Sequence, residues 1–329
     1  MCILSGTPER VSKTQILAFH TDDGKHQVTV YANEVRLARS VTTTFVPWGE
    51  SGGDNGGDVA TCAMVLPFPA NNSNNSNNSN NGGCEMIDTT GIEGENEGLF
   101  KALDDLFPVV MTYGGTRGGF GISDGASTLE VKTCGSYDYS VAPTLDDLSR
   151  LDASLHIEDV HDLLRRMYGT GFSFLVCAIR KSAKYHPIAY KHVLRDDGRL
   201  FLPTLHEHGT ALRGGPMWDH SIYSVRPGQP SSGTGFGNLS YARDWSTVEV
   251  EVAFDDVSKP LRPSGTDPPV FSFNDNGSYA KTKEVGLQWA ALARALGPAL
   301  AKNLGTSASG STLKKTTIVG NHPNEDILI

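Results

Sequence analysis

A chain of 329 residues with 38% hydrophobic and 20% charged side chains has a globular balance and enough length for a sizeable core; its 36 glycines and 17 prolines favour many short elements over long helices. The formal charge of −9, from 28 basic and 37 acidic residues, repels a phosphate backbone, and no basic run beyond Lys314-Lys315 offsets it, so nucleic acid is excluded as an expected partner. No segment approaches the roughly 18 apolar residues of a membrane span, and Cys2-Ile3-Leu4 is too short for a secretory signal, so a cytoplasmic protein with no membrane partner is expected.

Short strand-like runs open the chain at Cys2 to Ser5, Gln15 to His20 and Gln27 to Asn33, the last two joined as a hairpin through Asp22-Asp23-Gly24-Lys25. A Gly/Asp-rich loop from Gly49 to Asp58 leads into the apolar strand Val59 to Pro67, which Pro67 and Pro69 are expected to stop. Asn71 to Gly83 is an Asn/Ser tract without an apolar residue, read as a mobile low-complexity insertion. Leu99, Phe100, Leu103, Leu106 and Phe107 mark a short amphipathic helix, and the glycine-dense run Gly114 to Gly121 reads as a hinge, since it fits neither phosphate-binding glycine motif.

Strand character resumes at Leu129 to Thr133 and Tyr137 to Val141, and Pro143 to Leu148 reads as a helix start. A helix is predicted from about Ile157 through Tyr168, then a central strand over Phe172 to Ile179, and a strand over Arg199 to Leu205 interrupted at Pro203. Beyond Tyr223 a loop is expected through Gly237, then a half-exposed strand over Val248 to Phe254 and an Ala/Leu-rich helix over Val285 to Leu304, kinked at Pro298. The expected fold is α+β, with largely antiparallel sheets, a few short helices and two lobes. An N-terminal lobe (1–133, with the insertion at 71–83) precedes a second lobe (134–254) that holds a histidine-rich segment; a linker and C-terminal helix (255–304) and a partly flexible tail (305–329) follow.

Five of the ten histidines fall between His186 and His220. Imidazole transfers protons near neutral pH and binds zinc, so this clustering nominates a site. His206 and His208, two apart on an extended segment, share a face; with Asp219 and His220 they form a candidate zinc-ligand set, although H-E-x-x-H spacing is absent. Against this stands the reading that these histidines tie loops to the sheet. Cys2 is the other candidate: loss of Met1 would place a thiol and a free α-amino group on one residue, nucleophile and base together. The five cysteines (Cys2, Cys62, Cys84, Cys134 and Cys177) form no C-x-x-C pair and read as free thiols.

The Met-Cys start followed by short strands and a hairpin resembles the cysteine members of the N-terminal nucleophile hydrolases, a resemblance confined to about the first 35 residues. It implies Cys2 as nucleophile; the Arg and Asp of one branch of that family are replaced here by Leu17, Ala18, His20 and Thr21. A broader resemblance rests on Ala63-Met64-Val65-Leu66-Pro67-Phe68-Pro69, Gly135 to Val141, Tyr168 to Cys177, His186-Pro187-Ile188-Ala189-Tyr190 and Leu200 to Thr204. These look like an uncharacterised family of microbial proteins, which implies shared architecture and transfers no activity. Two functions are carried forward: a hydrolase acting on a small amide-like substrate through Cys2 or the His206/His208 centre, and a non-catalytic module that binds a small molecule or protein and whose histidines are structural.

Overall fold

The computed structural model describes residues 2–4, 8–37, 60–70, 83–90, 98–107, 129–152, 155, 157–168, 170–180, 186–208, 217–227, 248–251, 279–287, 289–304, 311–321 and 326–329. The Asn/Ser tract through residue 82 and the run Gly114 to Gly121 lie outside them. No helix of the described residues is long and apolar enough to cross a membrane.

Two sheets form the body. The smaller contains β1 (Cys2–Leu4), β4 (Ala60–Pro69), β6 (Lys132–Cys134), β7 (Tyr137–Ala142), β8 (Phe172–Arg180) and β11 (His206–His208), in the order β11-β1-β4-β8-β7-β6. The larger contains β2 (Pro8–His20), β3 (His26–Leu37), β5 (Cys84–Ile87), β9 (Ile188–Val193), β12 (Met217–Pro227), β13 (Val248–Glu251), β14 (Tyr279–Leu287) and β15 (Ser311–Asn321), in the order β13-β14-β15-β12-β2-β3-β9-β5. A two-stranded ribbon joins β10 (Phe201–Leu202) to β16 (Ile327–Leu328). Pairing is antiparallel except between β1 and β11 and between β12 and β2, in keeping with the expected α+β class.

Period-two alternation sorts each long strand between two layers. In β2, Ile16 and Ala18 join the apolar layer between the sheets, with Met64, Leu66 and Phe68 of β4 and Leu175, Cys177 and Ile179 of β8. The intervening Leu17 and Phe19 turn outward to α1 (Leu99–Asp104) and α3 (Trp289–Ala301). On the far side, Ala63, Val65, Phe174 and Val176 meet Leu163 and Leu164 of α2 (Glu158–Met167) and Leu148 of a 3₁₀ turn at Asp146–Arg150. The layers thus run helix, sheet, sheet, helix. Both sheets interleave strands from residues 1–133 with strands from 134–254, so neither sheet belongs to one segment.

Four expectations are corrected. β4 runs through Pro67 and ends only at Pro69: Pro67 and Pro69 pair with Phe174 and Phe172. Ala70 donates its amide to Gly171 across β8, so residues of the opposite parity, the prolines, turn their missing N–H toward the β1 side. β1 reaches only Val65 and Met64 there, and no ladder bond is lost. The chain beyond Tyr223 stays in β12 through Pro227, and the start of the predicted C-terminal helix, Val285 to Leu287, belongs to β14; the helical part does kink, at Gly297 before Pro298 (φ 71°). Within the expected tail, the described residues 311–321 and 327–328 form strands. β15 is an interior strand between β14 and β12 that buries Leu313 and Ile318, and β16 returns the terminus to β10.

Asp326 fastens that return, accepting from the Tyr168 hydroxyl at 2.5 Å and the Leu205 amide at 2.9 Å. Removing residues 305–329 should abolish the cooperative urea transition, because an interior strand goes with them. Asp326→Ala, which removes the acceptor of two bonds, should lower the unfolding free energy by about 1–3 kcal/mol with the urea slope unchanged. A truncated chain that still unfolded in one sharp step would contradict this account of β15.

Candidate functional site

The five clustered histidines are dispersed by the fold. His186 precedes β9, His192 lies in it, His206 and His208 form the ends of β11 and His220 sits in β12 of the other sheet. Asp219 and His220 are consecutive on β12 and so project to opposite faces. Asp219 is exposed and its carboxylate accepts the Lys13 amide at 2.6 Å, closing the bulge where Lys13 takes a left-handed conformation (φ 53°); His220 is buried. These two expected zinc ligands therefore do not converge. Among the described residues no group of three His, Cys, Asp or Glu side chains could hold a metal ion.

Backbone register does bring the other candidates together. β1 and β11 run parallel with Cys2 opposite His206 and Leu4 opposite His208. The side chains of Cys2, His206 and His208 lie outside the described residues.

His192 is a structural histidine. Gln27 Nε2 donates to Thr29 Oγ1 at 2.7 Å, Thr29 Oγ1 lies 3.2 Å from His192 Nε2, and His192 Nδ1 lies 2.9 Å from the Val193 carbonyl. This order makes Nδ1 the protonated nitrogen. Gln27 also exchanges two bonds with the Phe201 backbone, so the network ties β3, β9 and β10. Burial pushes the imidazole pKa down to about 4, and the ring is neutral at physiological pH.

His186 organises the second network. The Ser136 amide donates to its Nε2 at 3.0 Å, which leaves the ring proton on Nδ1. Nδ1 faces Thr89 Oγ1 at 2.6 Å, and that hydroxyl donates to the Pro187 carbonyl at 2.6 Å. The Tyr137 hydroxyl donates to the His186 carbonyl at 2.6 Å, and its ring meets the imidazole edge-on at 5.1 Å. One imidazole thus joins the end of β5, the β6–β7 turn and the approach to β9.

What this network holds is the segment Cys84 to Thr90. β5 lies at the end of the larger sheet, paired on one side with β9, Glu85 opposite Lys191 and Ile87 opposite Ala189. Cys84, Ile87 and Thr89 are buried, whereas Glu85, Asp88 and Thr90 are exposed. Asp88 Oδ1 accepts from the Thr90 amide at 2.8 Å and hydroxyl at 2.7 Å, and these bonds hold its carboxyl below the ordinary carboxylate range. An ionised Asp88 is therefore raised between two anchored neighbours. Sequence reasoning passed over Asp88, Thr89, Gly135 and Ser136; the local signal was the Asp-Thr-Thr-Gly turn after a short strand, which announces a turn but no function.

The described thiols are poor nucleophiles. Burial raises those of Cys84 and Cys177 and lifts Cys134 to about 11, so none carries appreciable thiolate at neutral pH.

Gly135 makes the close approach to His186 workable: its φ is +56°, and a Cβ there would collide with the imidazole and come within 2.6 Å of Thr90 Cγ2. Gly135→Ala should destabilise the fold by more than about 2 kcal/mol, by combining left-handed strain with overpacking. Gly198→Ala, with φ +72° and nothing within 4 Å of the added carbon, should cost only about 1–2 kcal/mol. Equal losses in chemical denaturation would contradict the tight seat.

No family model matches the chain, and no curated protein is similar to it. Among solved structures it is similar to baculovirus P35, at 11% identity and a TM-score of 0.41 over 99% of this chain and 98% of that one. It is also similar to a mutated baculovirus P35 after caspase cleavage, at 9% identity and a TM-score of 0.36 over 96% and 99%.

Proposed function

We propose that this chain is a non-catalytic protein-interaction module that offers Glu85–Asp88 to the cleft of a partner protein. The observation that carries this reading is the exposed Asp88 carboxylate standing between buried Ile87 and buried Thr89 at the end of an edge strand. A segment already held extended loses little conformational freedom on binding, and an edge strand can lend its backbone to an extended-peptide cleft. Proteases read extended peptides in this way, and those that cut after aspartate, the caspases among them, select the residue type found at position 88. The neutral buried histidines and raised thiols fit a rigid ligand rather than an enzyme.

A second reading draws on the register of Cys2 opposite His206, which sets a thiol-bearing and an imidazole-bearing residue side by side on two strands. On that reading the chain is a hydrolase of small amides, and Met1 must be removed. An intact mass retaining Met1 contradicts it.

The first reading is tested by incubating the full chain with a caspase and titrating residual protease activity, alongside Asp88→Ala. The expected result is that wild type lowers the activity or is cut at the bond after Asp88, and that Asp88→Ala loses at least about 100-fold of the effect, as for a central anchor. An equal effect of wild type and Asp88→Ala, or no engagement by any protease that cuts after aspartate, contradicts it.

A further inference from the structure

His186 stands outside both readings as a functional group, yet three separate elements meet on it. The Ser136 amide is aimed at Nε2, and Thr89 Oγ1 and the Pro187 carbonyl lie within 3.1 Å of Nδ1. The ring is 8% exposed and can satisfy this set in only one form, neutral with the proton on Nδ1. A second proton on Nε2 would face the Ser136 N–H donor against donor and remove the acceptor of that amide. We propose that His186 is a positioning residue for the Asp88 segment, a proton-operated catch that holds the Ser136 amide of the β6–β7 turn against that segment while the ring is neutral and releases it when the ring is doubly protonated.

The surroundings set the direction of the response. From the β5 side the charged group facing His186 is Asp88, which favours the cationic ring. The β6–β7 turn brings Gly135, the Ser136 amide and the Tyr137 phenol, with Cys134 before them, and the approach to β9 brings the Pro187 carbonyl. Burial outweighs Asp88 and holds the ring below the ordinary histidine value of 6.5. The folded chain therefore binds this proton less readily than the unfolded chain does. The contribution of the catch is complete above pH 6.5 and is lost as pH falls through the lowered folded value. Cys134, raised to about 11, does not titrate in that interval, and Asp88 titrates below the ordinary carboxylate range.

The link to function rests on the presentation of Asp88 proposed above: an acidic medium would slacken the segment and weaken engagement of its carboxylate. The catch itself is measured without any partner. Nitrogen-15 shifts of the His186 ring in the full chain at pH 7.5 should show Nδ1 protonated and Nε2 bare. Amide exchange of Ser136 and Thr90, corrected for intrinsic rates, should quicken by up to about tenfold per pH unit as pH falls from 6.5 toward the lowered folded value, and level off below it. In His186→Gln, whose side-chain oxygen can accept the Ser136 amide but takes up no proton, that pH dependence should vanish. Thr89→Val, of similar volume, should raise Thr90 exchange at pH 7.5 itself. A ring protonated on Nε2 at pH 7.5, or acid-quickened exchange that persists unchanged in His186→Gln, overturns the catch. If the ring and exchange results hold while no protease engages Asp88, the catch stands and the interaction reading falls.

Discussion

Burial of neutral imidazole at the margin of the layer between the two sheets is the constraint on which the rest of the site depends. β9 delivers His192 into that layer and is preceded by His186; each ring spends both nitrogens on neighbours. A charged imidazole there would lose solvation that nothing restores at His192 and that Asp88 only partly offsets at His186, so burial favours the neutral rings. Because both are neutral and committed, the loops they tie are fixed, and beside them the carboxylate of Asp88 stays exposed.

This arrangement gives a division of labour along a single short segment. Cys84 and Ile87 fill opposite faces of the sheet edge, Thr89 is bonded beneath, and Glu85, Asp88 and Thr90 stay in solvent. Side chains alternating between anchor and display are what a rigid peptide ligand requires, since ordering costs are met on folding instead of on binding.

Much of the fold was legible in the sequence because its central strands are continuous apolar runs. Ile16 to Phe19, Ala63 to Phe68 and Phe174 to Ile179 show it: every residue is apolar, and the structure divides them by parity between two layers. Local pattern failed where tertiary context ruled. Two prolines lie inside β4 because β1 is short beside them, and a polar-looking tail became β15 because Leu313 and Ile318 had a groove between β12 and β14 to fill. The site was less legible still. Clustering in sequence suggested a metal centre, but strand alternation sets Asp219 and His220 on opposite faces, and the fold places His192, the His206/His208 pair and His220 on three different strands. Thr89 and Ser136 matter only through contacts with a residue 97 and 50 positions away, respectively, which no local pattern encodes.

On the proposed function, Glu85–Asp88 is the surface through which this chain acts. Its most direct test is a hydrogen-exchange footprint of the full chain with and without a caspase whose catalytic cysteine has been replaced, so that binding proceeds without cleavage. Added protection over residues 83–90, with residues 2–4 and 206–208 unchanged, is the result the account predicts. Protection confined to 2–4 and 206–208, or a footprint elsewhere on the molecule, would contradict it.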